Sequence, residues 1–450
     1  MFFLNLKDNK IIFYKLCKFS IPLILSGILQ QLYNWIDTFI IGNVEGEFAL
    51  AAIGSTTTIV NLYLMLITGF TLGLSVLIAQ KAGSGDKEVI TKIITIFSFL
   101  FAFLFMFLAI VGILESRQIL NFMHTTADTI DYAEVYLKII FIGIPFLAVY
   151  NVYGAALRGI GDSKSPLIAI IVSSVVNTIL DLLFVVVFKQ GVKGAATATI
   201  ISQMSMTIFL ALYTSKKYSF LRIRINGKML DKNVLKNGLN MGFAPMLQSC
   251  ISAFGNLLLQ KFMNGFGTQT VAAITTAYRI DTILLLPIIN LGVGVATLVA
   301  QSYGAGEKKE IRKIFINGIY VMIILSLSLT VLIILSGGFL ISMFGVSDES
   351  VEIGRKFFKV IALFYVVNGL ATVVQGYLEG IGDMIFVSMG NIVSLASRIF
   401  LSYSLSGFLE NMVIAYAEGI SWIVLLLIYI LRLLRDRIHF RSLSCLGKDK

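Results

Sequence analysis

The sequence predicts an all-α integral membrane protein of twelve transmembrane helices in two six-helix, pseudo-symmetric halves. Three observations carry that prediction. Of the 450 residues, 57% are hydrophobic and only 14% are charged, where soluble domains carry roughly 25%. The charges gather into short clusters, and runs such as 93–114 and 319–335 hold none. Several short motifs recur at one fixed spacing along the chain.

About 20 apolar residues cross a bilayer as a helix. Lipid cannot satisfy a bare backbone, so only helices or closed barrels span it, and these runs are too long and too apolar for barrel strands. The runs place the spans at 17–42, 48–80, 90–114, 131–156, 167–188, 194–214, 239–264, 269–301, 311–336, 352–378, 384–405 and 412–434. The long second and eighth spans are expected to include some loop. No small-residue cleavage site follows a short apolar core near the N-terminus, so the first span reads as a retained helix.

The net charge is +11. Its distribution fits loops obeying the positive-inside rule rather than a nucleic-acid surface. Lys7, Lys10, Lys15 and Lys18 precede span 1. Lys216, Lys217, Arg222, Arg224, Lys228, Lys232 and Lys236 follow span 6, and Lys308, Lys309, Arg312 and Lys313 follow span 8. The tail adds Arg432, Arg435, Arg437, Arg441, Lys448 and Lys450. The opposite loops hold only Arg117, Lys189, Lys193, Arg355 and Lys356. Both termini are therefore expected on the cytoplasmic side. Cys17, Cys250 and Cys445 are too scattered for a disulfide framework or a CxxC metal pair, and His124 and His439 fall in a loop and the tail.

Ala79-Gln80 with Gly83, Gly85, Asp86 and Lys87 reappears as Ala300-Gln301 with Gly304, Gly306, Glu307 and Lys308. Gly159-Ile160-Gly161-Asp162 reappears as Gly380-Ile381-Gly382-Asp383 at the same offset of 221, and Pro22 corresponds to Pro245 with a two-residue slip. The expected layout is an N-terminal lobe over 1–214, a cytoplasmic linker over 215–238, a C-terminal lobe over 239–434 and a tail over 435–450. Six spans per repeat give both halves the same orientation, hence a pseudo-two-fold axis along the membrane normal. A cavity between such lobes, with one rocking against the other, would give alternating access. The glycine-rich GSGD and GIGD segments read as turns that need positive φ.

The order and duplication of these motifs resemble the multidrug and toxic compound extrusion (MATE) family, in its prokaryotic form. The resemblance covers nearly the whole chain. It rests on Pro22, Asn34 and Asp37 in helix 1, the AQxxGxG loops after helices 2 and 8, and LRGIGD at 157–162. Asn177 and Asp181 in helix 5 and GVKGAATA at 191–198 complete it. It implies a V-shaped pair of lobes in a prokaryotic plasma membrane and an antiporter exporting amphipathic, often cationic compounds in exchange for H⁺ or Na⁺. No cofactor beyond that coupling ion is implied, and the expected partners are small-molecule substrates and the lipid bilayer, with the chain a monomer and no nucleic acid bound. It also implies a coupling site around Asp37 with Asn177, Asp181 and Thr199, to which helix 4 adds an amide for which Asn151 is the nearest candidate. Pro22 is the implied point of helix bending.

Read from their chemistry alone, ionisable groups inside spans are costly and mark functional sites. Asp37 lies about 22 Å along helix 1 from Pro22 at 1.5 Å per residue, and Asn177 and Asp181 share one helix face. Two carboxylates at one site ionise together only with a cation, so a proton or Na⁺ at Asp37 and Asp181 resolves the repulsion. In the second half, Arg279 and Asp281 lie in helix 8 and Arg398 in helix 11, and an ion pair between Asp281 and Arg398 is expected. Lys261 and Glu418 sit nearer span ends and are expected to snorkel. No carboxylate lies inside helix 7, and helix 10 offers only Glu352 and Glu379 at its ends. Tyr33, Asn34, Tyr63, Met65, Tyr150 and Tyr153 are candidate cavity residues, aromatic faces and a pliable thioether suiting flat cationic ligands.

A lipid-linked oligosaccharide flippase of the same superfamily is the alternative. It would be expected to line its cavity with several cations, whereas helix 1 offers Asp37. A major-facilitator transporter is excluded because its GxxxDRxGRR loop is replaced here by GSGDKE. An enzyme is disfavoured: no nucleophile–base pair, metal cluster or nucleotide motif occurs.

Overall fold

The structure, a computed structural model, describes residues 6–224 and 231–446, and the side chains of 10–224 and 231–435. Lys7, Lys228, Arg437, Arg441, Lys448 and Lys450 of the charge pattern therefore lie outside the described side chains. Fourteen α-helices follow in chain order: α1 Leu6–Glu45, α2 Glu47–Gly83, α3 Lys87–Phe122, α4 Ile130–Gly159, α5 Lys164–Asp181, α6 Gly191–Lys217 and α7 Lys232–Met263. Then come α8 Thr268–Leu284, α9 Leu286–Gly304, α10 Lys308–Ser342, α11 Asp348–Ile361, α12 Tyr365–Gly380, α13 Met384–Leu409 and α14 Val413–Leu446. Helices α8 and α9 together form one apolar stretch, as do α11 and α12, so the fourteen helices make the twelve expected spans.

The second span is helical from Glu47 to Gly83 and contains none of the loop its length suggested. The eighth is interrupted only at Leu285, where α8 ends and α9 begins. Two further departures from α geometry lie within spans. A π-helical turn, Leu182–Val187, directly follows Asp181, and a 3₁₀ turn, Ala362–Phe364, separates α11 from α12.

Packing groups the described chain into two units. The N-terminal unit is Ile21–Ser249 with Gly304–Gly306, and the C-terminal unit is the remainder, so the division passes through helices α1 and α7. The core of the N-terminal unit is an aromatic ladder on α2 and α3. Phe70 packs on Phe97 and Phe101, and Phe101 on Phe105, with centroids 5.1 to 5.6 Å apart. Gly238 and Gly242 of α7 lie against the Phe97 and Phe70 rings, where a Cβ would collide. In the C-terminal unit, Ile12 and Leu16 of α1 join Ile274, Leu291, Phe357, Phe358 and Tyr365 in the core.

The repeat is legible in backbone and packing. Apart from Gly191, positive φ among the described residues occurs in pairs 221 residues apart: Gly46 and Gly267 (80° and 88°), Gly85 and Gly306 (75° each), Gly161 and Gly382 (90° and 96°). The non-glycine exceptions pair as well, His124 with Gly345 and Lys189 with Glu410. A Cβ on Gly159 would meet Ile78 and the Ser75 carbonyl at 2.7 and 2.8 Å; one on Gly380 would meet Val299 and the Ala296 carbonyl at 2.6 and 2.8 Å. Those partners are also 221 residues apart. The GSGD and GIGD segments are turns, as expected. Asp86 goes further and caps α3 by accepting from the Val89 N–H at 3.2 Å.

Candidate cation-binding site

Asp37 stands on α1, Asn177 and Asp181 on α5, and Thr199 on α6, all in the N-terminal unit. Asn177 and Asp181 have no solvent exposure and Thr199 is 7% exposed. The carboxyl of Asp181 adjoins that of Asp37. One turn before Asp37, the Tyr33 hydroxyl reaches Thr199 and Ser202, and Tyr136 of α4 stands within electrostatic range of Tyr33, Asp37 and Asp181. Thr199 spends its own proton on the Ala195 carbonyl, 3.0 Å away.

The acid and amide atoms of this cluster are buried without hydrogen-bond partners. Asp37 Oδ1, both Asp181 oxygens and both polar atoms of Asn177 make no hydrogen bond. A buried acceptor left unmatched costs about 1–3 kcal/mol, and more when charged. Two adjoining carboxylates add like-charge repulsion. Hard oxygen acceptors from two carboxyls and an amide fit a proton or a hard monovalent cation, either of which satisfies both deficits at once. The π-helical turn following Asp181 shifts the backbone ladder at this point, a feature that recurs at functional sites.

The other expected site residues are placed differently. Asn151 donates to the Leu147 carbonyl of its own helix at 2.8 Å, so its amide is engaged within α4. Tyr150 and Tyr153 are 7% and 2% exposed within the core of the N-terminal unit and are packing residues, not cavity residues. Tyr63 packs on the Phe141 ring at 5.2 Å. Asn34 is exposed and Met65 half-buried. Pro22 is buried inside the continuous α1, its carbonyl accepting from Ser26 Oγ at 2.8 Å.

The expected Asp281–Arg398 ion pair is not formed. Arg398 pairs with Glu418 at 2.8 Å, and Asp281 accepts a hydrogen bond from Tyr365. Glu418 does not snorkel: it is 7% exposed. Lys261 is exposed in the last turn of α7, and Arg279 is exposed on α8. Glu379 is 4% exposed and accepts from Gln375 at 2.8 Å. Tyr136 packs in an apolar cluster with Ile41 and Ile53 next to the site, and Tyr33, expected to face a cavity, belongs beside Asp37. The Tyr33–Asp37 interval of one turn was the available signal.

Twelve spans in two repeated halves, with two adjoining carboxyls inside them whose buried oxygens lack hydrogen-bond partners, define a polytopic membrane transporter. The MatE family model matches the chain twice, over residues 22–183 and 245–404, and the chain belongs to that family. It is 32% identical over 381 residues to the probable multidrug resistance protein YpnP of Bacillus subtilis, covering 84% of this chain and 85% of that one. It is 24% identical over 436 residues to the multidrug export protein MepA of Staphylococcus aureus, covering 95% of each. A solved multidrug resistance MATE family transporter of the MOP superfamily, in an outward-facing conformation, has the same fold, with a TM-score of 0.87 at 21% identity over 96% of this chain and 97% of that one. A MATE structure in a bent conformation gives 0.88 at 20% identity over 99% and 100%.

Proposed function

We propose that the protein is a secondary antiporter of a prokaryotic plasma membrane that exports amphipathic, cationic compounds in exchange for H⁺ or Na⁺. One observation carries the reading: Asp37 and Asp181 adjoin inside apolar spans with three of their oxygens buried and unpartnered. Such a pocket is stable only with a cation or proton in it, so its occupancy follows the gradients outside. The names of the relatives, multidrug resistance and multidrug export, support drug export.

Helix α1 runs unbroken from Leu6 to Glu45. It carries Asp37 in the N-terminal unit and gives Ile12 and Leu16 to the core of the C-terminal unit. Neutralising Asp37 removes a repulsion from one end of a rod whose other end belongs to a different packing unit. Pro22 leaves one backbone carbonyl without its helical N–H partner and permits bending between those ends. A two-state bend biased by a few kcal/mol of binding energy is enough to shift populations substantially.

The test is efflux of a flat cationic dye from proteoliposomes, with Na⁺ and pH gradients imposed separately. Asp37→Asn keeps the shape while removing the charge, and ion-driven efflux should fall to background at wild-type abundance. Undiminished gradient-driven efflux by that variant would overturn the reading.

A further inference from the structure

Both units build the helices around their polar pockets with the same bonds. In the N-terminal unit, Ser173 Oγ donates to the Ser202 carbonyl at 3.2 Å, and Ser202 Oγ donates to the Thr199 carbonyl at 2.7 Å. In the C-terminal unit, Ser394 Oγ donates to the Ser421 carbonyl at 2.8 Å, and Ser421 Oγ donates to the Glu418 carbonyl at 2.7 Å. Ser394 is thus the counterpart of Ser173, and Ser421 of Ser202. Counting along the uninterrupted helices, Arg398 stands where Asn177 stands, Ser402 where Asp181 stands, and Glu418 where Thr199 stands.

The chemistry at these positions is inverted. The N-terminal pocket has two carboxyls, an amide and no cation. The C-terminal pocket has a cation of its own. Arg398 Nη2 donates to Glu418 Oε2 and to the Tyr278 hydroxyl, each at 2.8 Å, and that hydroxyl lies 3.2 Å from the same Glu418 oxygen. The Arg398 and Glu418 side chains are 17% and 10% exposed. Asp281, whose carboxyl accepts from Tyr365, lies within electrostatic range of both. Glu418 is therefore balanced from within by Arg398, while Asp281 has the Tyr365 hydroxyl as its donor.

We propose that the Arg398 guanidinium is a tethered cation, filling in the C-terminal unit the place that an exchangeable proton or monovalent metal ion fills in the N-terminal one. A guanidinium keeps its proton at any physiological pH and cannot leave its helix. Glu418 consequently holds no exchangeable ion, whereas the Asp37–Asp181 pocket, with no fixed cation beside it, does. The inference rests on the reading of that pocket as a cation site.

Replacing Arg398 by the amide of its counterpart should open a second exchangeable site, with Glu418 and Asp281 as its anions. The experiment measures thermal unfolding of the purified full-length chain in an Asp37→Asn background. Three ligands are applied separately: Na⁺ against choline at constant pH, protons at zero Na⁺, and millimolar guanidinium. Asp37→Asn alone should respond to neither Na⁺ nor guanidinium, and its response to protons, to which Asp162 and Asp181 contribute, is the baseline for the double variant. Asp37→Asn/Arg398→Asn should be stabilised by several degrees by at least one, since a ligand that binds only the folded state raises its midpoint. Adding Glu418→Thr should erase that gain. A folded double variant no more responsive than Asp37→Asn overturns the proposal. So does a double variant that none of the three ligands allows to fold, or one whose gain survives Glu418→Thr. If Asp37→Asn itself responds like the native chain, the N-terminal reading fails, while the difference between single and double variants still decides the role of Arg398.

Discussion

Asp162 and Asp37 are the same residue type in opposite circumstances. Asp37 lacks donors, whereas Asp162, in the turn after α4, has them in excess. Lys217 Nζ, Ser165 Oγ and the Tyr218 hydroxyl approach it at 2.8, 2.6 and 2.9 Å, and the N–H groups of Lys164 and Ser165 add two more bonds. Burial pushes its carboxyl up, but the Lys217 ammonium and the hydroxyls outweigh it and hold the carboxyl below its ordinary value. A lowered folded-state pKa means stability that is present above the unfolded value of about 3.9 and lost as pH falls through the folded one. Asp162→Asn should therefore destabilise by about 1–3 kcal/mol near neutrality. The deficit should vanish in acid, as unfolding of both proteins across a pH series would show; a pH-independent difference would assign the effect to packing. Much of the candidate site was legible at this scale. Asp37, Asn177 and Asp181 stand out because lipid makes such groups expensive, while Thr199 was reached through the family resemblance alone. The partner of Arg398 was not legible, because Glu418, 20 residues on and on the next helix, read as a span-end residue and Asp281 as the buried carboxylate.

At the scale of elements, hydropathy locates spans but is blind to breaks within them. Leu285, Leu182–Val187 and Ala362–Phe364 are as apolar as their neighbours, and what distinguishes them is the hydrogen-bond ladder, which side-chain hydropathy does not encode. Glycine motifs were more informative. Gly159 and Gly380 end their helices against the carbonyls of Ser75 and Ala296, so each marks a close crossing of backbone on backbone. In a bilayer, where no hydrophobic effect pulls helices together, such contacts contribute a large share of association. Gly159→Ala and Gly380→Ala should each cost about 1–3 kcal/mol, the range for overpacking. Because backbone rather than a flexible side-chain tip is in the way, the crossing itself must widen. Thermal midpoints of the two variants should fall by similar amounts; a loss confined to one would mean that the two crossings carry unequal load despite matched geometry.

For the whole molecule, duplication fixes the scaffold while leaving polar content free to diverge. Asn177 corresponds to Arg398 and Arg158 to Glu379 at the offset of 221, yet the turns and glycine contacts around them coincide. The twelve spans and the repeat were legible because they are written in every apolar run and every duplicated turn. That the packing division passes through α1 and α7 was not, because a continuous helix carries no mark where its neighbours change. This division has a consequence for stability. Ile12 and Leu16 are 4% and 0% exposed in the C-terminal core, and a Cβ on Gly294 of α9 would meet Ser20, Phe19 and Leu16. Leu16→Ala, close to the start of the chain, should therefore destabilise the C-terminal unit by about 2–5 kcal/mol, the range for emptying a buried leucine site. Hydrogen exchange resolves the units: protection should fall in α9 and α10 and hold in α2 to α4, where the Phe70 and Phe97 ladder is untouched. The same substitution frees the far end of the helix that carries Asp37, so dye efflux should become less dependent on the imposed ion gradient while Asp37 itself is intact. Loss of protection in α2 to α4 instead would mean that the first turns of α1 stabilise the unit that holds the carboxylates, and that α1 does not link the two cores.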